Sequence, residues 1–161
     1  MAEINNGRQG PGRLAARIDI LERVPEDEGM VNIGPAAQNA ALGVVHVRIS
    51  FWLGERQLCA QEVLLLDGAI KRWASDVRAL VEGEWDRDVV YFPFVSPELI
   101  ARLRRYDHES GSRYELLMAL DTGVFDLEPV ISGEGPGIFL SPETDVLLQF
   151  IEDLLAEAEA A

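Results

Sequence analysis

Cysteine is nearly absent from this chain: Cys59 is the only one, so no disulfide can close within one copy and no cysteine-based zinc site can be built. On an apolar stretch it reads as a small buried side chain rather than a nucleophile. No apolar run approaches the ~20 residues that a bilayer span needs. The opening Met1-Ala2-Glu3-Ile4-Asn5-Asn6 lacks the basic start and apolar centre of a secretory signal, so the expected compartment is the cytoplasm. Basic residues stop at Arg113, and eleven acids follow it, from Glu115 to Glu159. That third carries most of a net charge of −14. Such a surface repels phosphate backbones, which excludes nucleic acid as its partner, and attracts a basic protein.

What the chain does have is a composition of 48% hydrophobic and 26% charged residues over 161 positions, enough for one sizeable core. Residues 1–12, with Gly7, Gly10, Pro11 and Gly12, read as a flexible N-terminal lead-in, and residues 13–161 as a single domain. Leu14, Ala16, Ile18 and Ile20 alternate with Arg17 and Asp19, as in a half-buried strand. The stretch from Pro25 to Gly43 reads as a long loop. Val45, Val47, Ile49, Phe51 and Leu53 give the cleanest strand, turning at Gly54-Glu55-Arg56 into a second that begins at Leu58.

That second strand runs through Leu66 straight into a helix whose apolar face is Ile70, Trp73, Val77, Leu80 and Val81. Asp67 is the expected N-cap and Gly83 the expected left-handed end. Further strands are expected over Val89–Val95, at an edge because of Pro93, over Glu98–Tyr106, over Tyr114–Leu120 and over Val124–Ser132. Asp107–Ser112 is the expected hairpin loop. Ser141-Pro142 is the expected start of a second helix with Leu147, Phe150, Ile151, Leu154 and Leu155 inward. The fold class is therefore α+β: a curved, mainly antiparallel sheet of about six to seven strands carrying two amphipathic helices.

Catalytic signatures are sparse. The glycine-rich Ser132–Gly137 has neither the Lys-Ser/Thr end of a phosphate loop nor dinucleotide spacing, and reads as a turn. His46 lies on a polar strand face with no second metal ligand at fixed spacing. Asp107-His108-Glu109 cannot converge on one ion from consecutive extended positions. Asp86 and Asp88 flank and partner Arg87. Arg102, Arg104 and Arg105 form the most basic patch and read as a salt-bridged strand face. Trp52, Trp73 and Trp85 read as two core anchors and one boundary residue. These features support no catalytic residue, cofactor or metal. They leave a candidate binding surface of Glu143, Asp145, Glu152, Asp153 and Glu157 on the second helix, facing a basic protein partner.

The order of elements from Leu64 onward resembles small bacterial immunity proteins of the WapI type. The resemblance rests on the helix Ile70-Lys71-Arg72-Trp73 to Leu80-Val81-Glu82-Gly83, the strand around Phe92-Pro93-Phe94, the segment Tyr114–Leu120, and Phe139-Leu140-Ser141-Pro142 with Leu147–Leu154. It implies stoichiometric neutralisation of a toxin domain, with no turnover and no cofactor, while the charge and the short apolar runs point to no nucleic acid and no membrane. Two other expectations stand beside it: an enzyme whose pocket is assembled from distant strands, and a structural or oligomerisation module.

Overall fold

The computed structural model describes residues 1–24, 43–93, 99–109, 111–120 and 135–161. The expected loop up to Ala41-Leu42, the expected strand Val124–Ser132 and the glycine-rich stretch as far as Glu134 lie outside the described residues. Period-two alternation builds the first sheet from β1 (Ala2–Asn5), β2 (Leu14–Val24), β3 (Val44–Leu53) and β4 (Arg56–Leu66), each antiparallel to the next in that order. Val45, Val47, Ile49 and Phe51 point inward and are buried, whereas Arg48 is exposed on the other face. Gly54, at φ 58°, makes the tight β3–β4 turn. Within β4, Phe51 faces Cys59 and Trp52 faces Gln57, which leaves Leu58 as an extra residue in a bulge.

β1 corrects the expectation of a flexible lead-in. Ala2 and Ile4 are fully buried, in register with Ile18 and Ala16. Glu3, between them, takes the guanidinium of Arg17 at 2.7 Å and that of Arg13. Asn5 and Asn6 fix the return: the Gly7 N–H donates to Asn5 Oδ1 at 2.9 Å and the Leu14 N–H to Asn6 Oδ1 at 3.1 Å. The glycines of this region belong to a tight connection, with a short 3-10 turn at Gly10–Gly12, between two paired strands.

β4 passes directly into α1 (Asp67–Glu82). Its N-cap residue is Leu66, and Asp67 sits one position inside, where its carboxylate still favours the positive end of the helix dipole. Asp67 Oδ2 accepts from Lys71, one turn on, at 2.8 Å and from the distant Arg23 at 3.4 Å, so side-chain partners replace the expected cap. Gly83 does close the helix, at φ 80°, with its N–H directed to Leu80 O.

The second sheet follows: β5 (Val89–Tyr91), β6 (Leu99–His108), β7 (Gly111–Leu120) and β8 (Gly137–Leu140), again antiparallel and in sequence order. β5 is an edge strand, with Pro93 just beyond it. The β6–β7 turn is tighter than the expected Asp107–Ser112 loop, since Asp107 pairs with Ser112 and His108 with Gly111. The α+β class stands, but the single sheet of six to seven strands is replaced by two four-stranded sheets with no pairing between them among the described residues. The helix is the reason. Its 16 residues, at ~1.5 Å each, carry the chain roughly 24 Å from the last strand of one sheet to the first of the other.

α2 (Thr144–Ala160) closes the described fold. It starts later than Ser141-Pro142, because the Leu147 N–H donates to Glu143 O at 3.0 Å and makes Glu143 the cap residue. α1 lies against β5 and β6, α2 against β1 and β2, and the helices pack on each other. Both inner sheet faces therefore drain into one core. Trp73 is its centre, edge-on to Phe92 at 5.7 Å and to Phe150 at 6.2 Å between ring centroids. Trp52 and Trp85 are only partly buried.

Candidate partner-binding surface

Leu147, Phe150, Ile151, Leu154 and Ala158 fix the rotation of α2 by turning into the core. Helical spacing then presents Glu143, Asp145 and Glu152 to solvent. The three carboxylates have no cationic partner among the described residues. Asp153 is half-buried and accepts the Gln149 amide at 2.9 Å. Glu157 belongs elsewhere: it accepts the Ile20 N–H at 3.2 Å, pairs with the Met1 amino group and is tied to the first sheet. Helical spacing separates inward from outward positions and so places Glu157 with the open acids, but it does not reveal that β1 and β2 flank one shoulder of the helix.

Arg13, Arg17, Arg23 and Arg48 of the first half are engaged elsewhere. Arg13 and Arg17 serve Glu3, and Arg17 also stacks over the Trp52 ring at 4.2 Å. Arg23 donates to Ala158 O at 2.9 Å and reaches Asp67. Arg48 Nε donates to Glu62 at 3.1 Å, and that hydrogen bond holds the Glu62 carboxyl below its usual range. None of these four arginines neutralises the outer side of α2.

Next to Glu143 lies a cavity of about 290 Å³ lined by Ser112, Arg113, Tyr114, Ser141, Pro142 and Thr144. Tyr114 is 4% exposed and shares a hydrogen bond with Thr144; burial pushes its hydroxyl pKa up. The recess adjoins the exposed acids at the start of α2.

No family model matches this chain, and no curated protein matches it.

The other singled-out residues disperse. His46 lies 3.4 Å from Glu62 and 3.7 Å from Glu22 on the outer face of the first sheet. Asp107 accepts the Ser112 hydroxyl at 3.2 Å across the β6–β7 pair. Asp88 meets Arg105, at 3.4 Å, rather than Arg87. Cys59 is half-buried on β4. Among the described residues no three His, Cys, Asp or Glu side chains gather as metal ligands, and no helix is long and apolar enough to cross a membrane.

Strand parity splits the three arginines that the sequence presents as one patch. Arg105 shares the inward side of β6 with Leu99, Ala101 and Leu103, where its Nη1 donates to Leu80 O at the end of α1 at 3.0 Å. Arg102 and Arg104 face outward. The period-two rhythm of the strand contains this signal, since 105 has the parity of the buried residues.

Proposed function

We propose that this protein is a non-enzymatic binding protein, and specifically an immunity protein that neutralises a toxin domain one-to-one in the cytoplasm of a bacterium. Its acidic helix surface meets a basic target. The reading is carried by Glu143, Asp145 and Glu152, which stand exposed on a helix locked into the core and lack a cation among the described residues. Fixed like charges at the start and on the outer side of the helix raise the potential around it, and so speed encounter with a complementary surface and orient it. The order of elements that resembles WapI-type immunity proteins adds the class of target.

The test is co-purification from the cells that make the protein, at low and at high salt. The expected catch is a basic protein that is released as salt rises and is not retained by a Glu143→Arg, Asp145→Arg, Glu152→Arg variant. Toxicity of the captured protein should be suppressed at equal molar ratio. Capture of an acidic partner that ignores both salt and the charge reversal would sink the proposal.

A further inference from the structure

The outer face of the second sheet has a different chemistry from the rest of the molecule. Across its four strands the register aligns Tyr91, Arg102, Leu117 and Phe139 in one row. Neighbouring rows hold Val89, Arg104 and Glu115, then Tyr106 and Arg113. α1 packs on the opposite side of this sheet, and Tyr91 and Phe139 are each 48% exposed. Arg105 has carboxylate partners on the inward side, but Arg102, Arg104 and Arg113 have none among the described residues. Arg104 lies over the Tyr106 ring at 4.5 Å from its centroid. Glu115, the acid of these rows, already accepts the Tyr106 hydroxyl. Arg102 Nε is buried without a hydrogen-bond acceptor.

A chain with 28 acids and 14 bases thus collects on one face three arginines that have no acid partner among the described residues, together with aromatic and aliphatic side chains. Arginine and aromatic residues dominate the energetic centres of protein interfaces. A guanidinium fork supported by a ring or a leucine is pre-oriented for two-point binding of a carboxylate. We infer that this face docks an acidic polypeptide segment that also offers apolar anchors to Leu117 and Phe139. Single-stranded nucleic acid fits less well: the rings of Tyr91 and Phe139 occupy opposite edges, roughly 14 Å apart at three strand spacings, with arginine and leucine between them instead of adjacent stacking platforms. This second surface does not depend on the acidic helix or on the immunity reading.

The experiment uses the full chain and a fluorescently labelled glutamate–tyrosine copolymer as probe, with binding followed by anisotropy. The probe is expected to bind, and Arg102→Glu with Arg104→Glu to weaken it by about tenfold or more. Phe139→Ser, which leaves the charge unchanged, should also weaken it. Arg56→Glu with Arg78→Glu makes the same charge change at exposed positions outside this face and should leave binding within about twofold of the starting chain. Circular dichroism melts establish that the variants fold. Equal weakening by the control pair, or no binding by the parent chain, overturns the inference. So does tighter binding of an oligouridylate, or a sedimenting dimer that disappears in the sheet-face variants, which would assign the face to RNA or to a second copy.

Discussion

Replacing Ile4 by alanine tests whether the first residues belong to the fold. The side chain is fully buried, in register with Ala16 on a strand that α2 covers. Isoleucine loses three carbons in this change, and at about 0.8 kcal/mol each the transfer loss is about 2.4 kcal/mol. A residual cavity raises the total to about 3–4 kcal/mol, inside the range measured for buried isoleucine-to-alanine changes. In a chain of this size each kcal/mol moves the melting midpoint by about 2–4 °C, so a fall of about 6–16 °C is expected. Urea unfolding followed by circular dichroism should show a lower midpoint with an unchanged slope. A loose lead-in would respond differently: a loss within about 0.5 kcal/mol, as for an ordinary surface position, would refute the placement of β1.

Arg105→Met keeps most of the stem and removes the donor to Leu80 O, so urea unfolding should show a loss of about 1–2 kcal/mol. Arg105→Lys should restore only part of it, because an ammonium cannot reproduce the fork; a full recovery would reduce the contact to a point charge. Tyrosine ionisation supplies a pH test. Burial raises the Tyr114 pKa and the hydrogen bond to Glu115 raises that of Tyr106, so both neutral forms are favoured by folding. Their stabilising contribution is complete below the ordinary tyrosine value of 10.0 and is lost as pH rises through the higher folded values. Ultraviolet titration of Tyr114→Phe should lose one late-ionising phenol, and Glu115→Gln should bring Tyr106 back toward the ordinary value while Tyr114 stays high.

Much of the fold was legible because local rules act on adjacent residues. Val45 to Leu53 alternate, Ile70 to Leu80 repeat at helical spacing, and Gly83 supplies the one backbone conformation that helix end requires. What failed involved residues far apart in sequence. Nothing in β4 or β5 says that their edges never meet, so one sheet was expected where two form. Asp67 and Ser141 have the right chemistry for caps, yet Asp67 is recruited by Arg23, distant in sequence, and α2 begins only at Thr144 with Glu143 as its cap residue. The two alternating residues Ala2 and Ile4 were too short a signal beside Gly7, Gly10 and Gly12. On the candidate surface, Glu143, Asp145 and Glu152 follow from helix geometry alone, whereas the assignment of Glu157 needed knowledge of which strand lies alongside.

The extra residue at Leu58 also bears on how the protein survives at high concentration. β4 forms one margin of the first sheet, and a long straight margin of that kind offers a row of open peptide groups on which other chains can polymerise. The kink at Leu58 interrupts that row and twists it out of line, so a second margin cannot lie flush along its whole length. That margin therefore offers a neighbouring chain a shorter straight run than an unbroken strand of the same length.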